Sequence, residues 1–145
     1  AFGEPWLARQ DLRKFAWLLR RRSFKPFHTS YALLWLQMLV DYGDHTGDTA
    51  LWSELASEAH ELLETFTSFR GPNGLLCNAP NYMFMDWVTI GGYEGHHPPA
   101  VIGQGYLTAF YYRALADAKR LAEFQGDSAR AVGYSLLRQE ISEAY

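Results

Sequence analysis

Along most of the chain, apolar residues recur at spacings of three and four, the period of one face of a helix. In PWLARQDLRKFAWLLRRR, Leu12, Phe15, Ala16 and Leu19 share such a face, in a helix that starts after Pro5. Proline suits a first turn because the N–H it lacks would have no intrahelical partner there. The run Arg20-Arg21-Arg22 closes this helix, where cations meet the negative end of the helix dipole. A break follows from Ser23 to Pro26.

HTSYALLWLQMLVDYGDHTGD predicts a second helix with Thr29 or Ser30 as N-cap. Its apolar positions are Ala32, Leu33, Leu34, Trp35, Leu36, Met38, Leu39 and Val40. That surface is too broad for a half-exposed helix, so it should be mostly buried. Gly47 should end it in the left-handed conformation, and Asp48 should cap the next helix with its carboxylate. In TALWSELASEAHELLETFTSF the pattern turns Leu51, Leu55, Leu62, Leu63 and Phe66 inward and Glu54, Glu58, Glu61 and Glu64 outward, and RGPNG terminates the helix. The result is an αα-hairpin.

The same design returns after residue 105. YLTAFYYRALADAKRLAEF predicts a long aromatic-rich helix, Gly126-Asp127 a corner, and SARAVGYSLLRQEISEAY a second helix with Ala131, Tyr134, Leu137 and Ile141 inward. TGDTA at the first corner matches QGDSA at the second, with Asp48 and Asp127 about 79 residues apart. Each corner follows an aromatic, apolar helix and precedes a more charged one. That texture fits concentric layers, in which inner helices are covered on all sides and outer helices on one. The fold class expected is all-α, built of antiparallel αα-hairpins in a single domain spanning residues 1–145.

Composition narrows the function. With 145 residues, 48% apolar and 16% aromatic, the chain has material for one packed domain. A net charge of -3, with the one basic run accounted for by a helix end, argues against nucleic acid as a partner. No apolar run approaches the roughly 18 residues of a membrane span, so no membrane partner is expected. Cys77, the single cysteine, has no internal partner for a disulfide and is expected to be buried filler. The sequence begins at Ala1 without an initiator methionine, as an excised or processed segment would.

Between the two hairpins lies MFMDWVTIGGYEGHHPPAVIGQG, residues 83–105. Its glycines do not form a dinucleotide fingerprint after a strand. His96 and His97 are adjacent, so their side chains diverge, and no third ligand stands at helical spacing; no metal or other cofactor is expected. His28, Thr29 and Ser30 lack a nucleophile-elbow frame.

The order of LLWLQMLVDYGDHTGDTALW, GLLCNAPNYMFMDW and GQGYLTAFYYRALADAKRLAEFQGDSARA resembles the catalytic (α/α)6 domain of bacterial α-L-rhamnosidases and related six-hairpin glycosidases. The likeness covers roughly residues 29–131 and rests on the D-Y-x-x-x-T-G-D helix end, the G-L segment, the F-x-D-W loop and the A-x-x-A-x-x-x-G-D hairpin. It implies a partial (α/α)6 toroid, a terminal rhamnose or related sugar as ligand, and a bacterial cytoplasmic or periplasmic setting. It also implies hydrolysis with inversion, which requires two carboxyl groups about 6.5–9.5 Å apart, one protonated and one ionised.

The resemblance makes Asp86 and Trp87 the sugar-facing pair, the carboxylate accepting hydroxyl hydrogen bonds and the indole stacking on the ring. The other reading of these residues is a turn carboxylate and a core tryptophan. Tyr93, Glu94 and His96 lie in the following glycine-rich frame and complete the candidate substrate-binding set; Glu94 can equally be solvated, and Tyr93 can anchor the loop. Pro98 and Pro99 hold His97 extended and set up the next helix. The family's upstream acid block and its later glutamate base have no counterpart here. Asp11 lacks the Glu and Gly-Trp that should follow it, and Glu140 and Glu143 read as solvated surface.

A closed toroid needs about twelve helices and this length supplies about five. The chain is therefore expected to be part of a larger barrel that lacks the catalytic pair, with exposed apolar edges that favour self-association or cover by the rest of a longer chain. The competing reading is a noncatalytic helical interaction module with an aromatic groove.

Overall fold

The computed structural model describes residues 4–25, 28–80 and 100–145, with the side chains of 100–102 left aside. Five helices follow one another: α1 (Pro5–Arg21), α2 (Thr29–Thr46), α3 (Ala50–Thr67), α4 (Ala100–Phe124) and α5 (Ser128–Ala144). Among the described residues the sole extended pairing is an isolated bridge between Arg70 and Leu76.

Cross-helix contacts fix the directions. Trp52 meets Phe124 edge to face at 5.4 Å and Phe66 stacks on Tyr111 at 6.1 Å, so α3 and α4 are antiparallel. His60 bonds Tyr134 and Arg70 bonds Glu140, so α3 and α5 run parallel. Arg13 bonds Glu54 and Arg20 pairs with Glu58, which sets α1 parallel to α3. Arg120 grips Asp44 with both terminal nitrogens near the C-terminal ends of α4 and α2, which makes those two parallel. Two layers result: α1, α3 and α5 run one way, and α2 and α4 run the other.

The corners obey one rule and differ in chemistry. Gly47 and Gly126 take φ of 73° and 76°, a region open to glycine without a side-chain penalty. At the second corner Asp127 caps α5, accepting from Arg130 N at 3.0 Å, as expected. At the first corner the expected cap is absent. Thr49 holds the N-cap position without a side-chain bond, and Asp48 instead accepts from Arg9 Nε at 2.7 Å. An arginine reaching over from α1 is a stronger partner for a carboxylate than a neutral amide.

Three further expectations are corrected. His28, not Thr29 or Ser30, is the N-cap of α2; Thr29 and Ser30 are fully buried in its first turn. Glu58 points inward, because Arg20 supplies a charged partner that lets the carboxylate be buried. Met38 is 55% exposed, so α2 is open along one side even though Trp35, Leu36, Leu39 and Val40 are buried.

The core runs between the layers and is filled by leucines of α2, α3 and α4 with Phe66, Tyr111 and Trp35. The two buried indole nitrogens are satisfied by backbone: Trp35 Nε1 donates to Leu12 O at 3.0 Å and Trp52 Nε1 to Leu39 O at 2.9 Å. The Trp52 indole is seated on Gly43, where a Cβ would lie 2.3 Å from its nitrogen. Gly43→Ala should therefore expel the ring and cost about 3 kcal/mol. Gly133→Ala, on α5 with open space around it, should gain about 1 kcal/mol. Urea unfolding of the two variants checks both signs.

Candidate functional site

All five candidate substrate-binding residues, Asp86, Trp87, Tyr93, Glu94 and His96, lie outside the described residues. What is described is the ledge from which that segment departs and the helix into which it returns. Both sit where α2 and α4 begin, at the opposite end of the molecule from the glycine corners.

The ledge is built by a tight reversal after α3. Gly71 N donates to Leu75 O at 2.8 Å and Gly74 N to Gly71 O at 3.0 Å, with Gly74 at φ of 81°. The Phe69 carbonyl then takes both Cys77 N and Asn78 N at 3.0 Å. Arg70 braces the turn, donating from Nε to Gly74 O at 2.7 Å and from a terminal nitrogen to Glu140. GLLCNAP is thus folded back on α4 rather than continuing away from it.

Two side chains of α4 hold it there. The Gln104 amide matches the Ala79 peptide group, accepting from Ala79 N at 3.3 Å and donating to Ala79 O at 3.1 Å. One turn later Thr108 Oγ1 accepts from Leu76 N at 3.1 Å and donates to Gln104 O at 2.8 Å. Both side chains are buried, as are Leu76 and Ala79. Buried backbone groups at a chain reversal need such partners, since water cannot reach them.

Cys77 lies outward and exposed, which corrects its expected role as buried filler. Leu76 takes the inward place, and alternation along the short extended stretch sends its neighbour out. Asn73 and Asn78 are exposed beside it. A groove of about 370 Å³ runs between the ledge and the start of α4, bordered by Asn73, Leu75, Cys77, Gln104 and Gly105. On the open faces of the same helix ends stand aromatic rings: Tyr31 packs against His28 at 5.2 Å, and Tyr106 meets Phe110 edge to face at 4.8 Å.

Acidic groups of α2 and α4 gather toward the other end. Asp117 on α4 is buried, and burial pushes its carboxyl above the usual carboxylate range while Arg113 at 3.0 Å pulls it back. Asp44 is held below that range by the bidentate Arg120. Asp44 joins α2 to α4 through Arg120, while Asp117 pairs within α4. Among the described residues, the ledge exposes the side-chain amides of Asn73 and Asn78 and the Cys77 thiol, with the Tyr31 and Tyr106 rings at the same helix ends, and no group of side chains has the makings of a metal site.

Sequence reasoning did not pick out Gln104, Thr108 or Asp117. Gln104 and Thr108 were legible only as polar residues four apart on an aromatic helix, and Asp117 as the partner of Arg113 at i+4.

No protein-family model matches the chain, and no curated protein matches it. Among solved structures it is similar to the crystal structure of a GH78 family rhamnosidase of Bacillus sp. GL1, with a TM-score of 0.66 and 20% identity. The match covers 81% of this chain and 12% of that one, so the chain spans about an eighth of the length of its neighbour. The likeness shows the fold: five helices forming part of an (α/α)6 toroid, in antiparallel hairpins as expected. No described helix is long and apolar enough to cross a membrane.

Gln104→Ala removes both bonds to Ala79 and should cost about 2 kcal/mol. Thr108→Val keeps the side-chain shape but leaves the buried Leu76 N–H unpaired, at a cost of about 1–3 kcal/mol. Hydrogen exchange should show the Ala79 and Leu76 amides opening in these variants while the α1 amides keep their protection.

Proposed function

We propose that the chain is a segment of an inverting glycoside hydrolase of α-L-rhamnosidase type, which contributes sugar contacts from residues 81–99 and does not itself carry the acid and base. The observation that carries this reading is the joint occurrence of the F-x-D-W sequence in residues 84–87 and an arc of (α/α)6 toroid similar to a rhamnosidase. The Gln104 and Thr108 clamp supports it, since a loop that presents a carboxylate and an indole to a sugar needs a fixed base. In this reading Asp86 accepts sugar hydroxyls, Trp87 stacks on the apolar face of the ring, and Tyr93, Glu94 and His96 border the site. The ligand is a carbohydrate ending in rhamnose or a related deoxyhexose.

A second reading is favoured by a different observation. Tyr31 and Met38 on α2 are exposed beside an apolar groove of about 310 Å³ that Phe15 and Leu34 also line. Trp6, Leu7, Trp17 and Leu18 are exposed on α1. Such faces suit a helical interaction module that pairs with another copy of itself or with the remainder of a longer chain.

Titration with L-rhamnose, followed by tryptophan fluorescence, separates the two. The first reading expects saturable binding that Trp87→Ala weakens at least about tenfold, a loss of about 1.4 kcal/mol, with glucose giving no saturation. It also expects the isolated chain to leave an aryl α-L-rhamnoside unhydrolysed. Rhamnose binding that survives Trp87→Ala, or none at all beside a concentration-dependent dimer, favours the interaction module.

A further inference from the structure

We propose that His60, Tyr134 and Gln125 form a proton-sensitive latch that holds α5 against α3, and that protonation of the His60 imidazole releases it. The inference stands on the seam between these helices and is independent of sugar binding.

The seam is unusual in what joins it. No Cα of α3 comes within 8 Å of a Cα of α5. Side chains bridge the gap at two described places, Arg70 to Glu140 at the far end and His60 to Tyr134 in the middle. Alongside the second bridge runs an open groove of about 380 Å³ lined by Glu64, Thr67, Arg130, Gly133 and Leu137. On α5 the buried residues are Ala131, Tyr134 and Ile141, so one of its three anchors is the tyrosine of the bridge.

The hydrogen-bond pattern admits one tautomer. Gln125 Oε1 is 3.1 Å from His60 Nε2 and can only accept, so Nε2 carries the hydrogen. His60 Nδ1 is then a bare acceptor for the Tyr134 hydroxyl at 2.8 Å, with the two rings stacked at 5.8 Å. A proton from solvent would add to the Nδ1 lone pair, the site that the tyrosine hydrogen occupies. Tyr134 could turn to accept the new N–H, but its own hydrogen would then need another acceptor in a place where the residue is 7% exposed.

Burial outweighs Gln125 Oε1, which is in contact with Nε2–H and favours the charged ring. The charged groups that bear on the ring are Glu64 on its own helix, Arg130 on α5 and Asp127 at the corner. Arg130 opposes protonation, and Asp127 is already engaged by Arg130 through its backbone N–H and its guanidinium. Burial is the largest influence and lowers the pKa of His60 below the ordinary histidine value, so the neutral ring is the folded form. Above about pH 6.5 the ring is neutral whether the latch is open or closed, and the latch contributes fully. As pH falls, the open state takes up the proton first, and the closed state loses ground until the lowered folded pKa is passed.

Hydrogen exchange of the α5 amides, corrected for intrinsic rates and followed from about pH 7.5 to about pH 5, tests the latch. In the wild-type chain α5 protection should fall by up to about tenfold per pH unit below the ordinary histidine range, while α1 and α2 change little. His60→Gln cannot take up a proton and should flatten that slope. Nitrogen chemical shifts of the wild-type imidazole provide a second reading that does not depend on the variant folding, and should show the Nε2–H form at neutral pH. An α5 slope as steep in His60→Gln as in the wild type overturns the latch. So does a wild-type ring that titrates without any matching change in α5 protection.

Discussion

A helix in the middle of its layer must satisfy four neighbours at once, and α3 does so by assigning a different side chain to each. Trp52 donates to the backbone of α2, Glu58 takes Arg20 of α1, Thr67 bonds the hydroxyl of Tyr111 on α4, and His60 takes Tyr134 of α5. Around these, Leu51, Leu55, Leu62, Leu63 and Phe66 fill the core. Apolar contact supplies the driving force for burial but is indifferent to register; each polar pair is worth little net, yet leaving one partner unpaired in the interior is costly. The polar set therefore fixes how the helices slide against one another, and the leucines fix that they pack at all.

Helical periodicity carried most of the fold in the sequence. Leu12, Ala16 and Leu19 on α1 and the five inward residues of α3 are buried where spacing puts them, and both glycine corners fall at Gly47 and Gly126. Two of the failures share one cause. The surroundings of Glu58 and Asp48 are set not by near neighbours in sequence but by residues far along the chain: Arg20 lies 38 positions from Glu58 and Arg9 lies 39 from Asp48. Charge patterning on a helix predicts exposure only when no opposite charge waits on the facing helix. The same blindness hid Gln104, whose role exists only because Ala79 lies opposite it in space.

The two corners show how a repeated sequence can carry different constraints. Both place a glycine in the left-handed region and an aspartate after it. At the first, Arg9 draws the aspartate sideways into an ion pair that ties α1 to the α2–α3 hairpin, and the Tyr42 hydroxyl adds a bond at 3.3 Å. At the second, the aspartate stays local as a cap, and the tie between hairpin and neighbour passes to Gln125 and the imidazole of His60. The first corner is thus tied to its neighbour by an ion pair and the second by a neutral imidazole, with Arg70 and Glu140 adding an ion pair farther along α5.

That asymmetry bears on the ledge. The Arg70 side chain that braces the turn at Gly74 also reaches Glu140 of α5, so the seam between α3 and α5 and the base of residues 81–99 share a residue. Glu140 is the more exposed partner, with 57% of its side chain open against 14% for Arg70. If α5 moves away, Arg70 loses its carboxylate but keeps the Gly74 carbonyl, while Gln104 and Thr108 hold the ledge from α4. The seam thus reaches the ledge through Arg70, while the clamp's own hydrogen bonds run between α4 and the ledge; α5 touches the clamp through its packing on α4, where Thr108 borders Ile141 and Ser142.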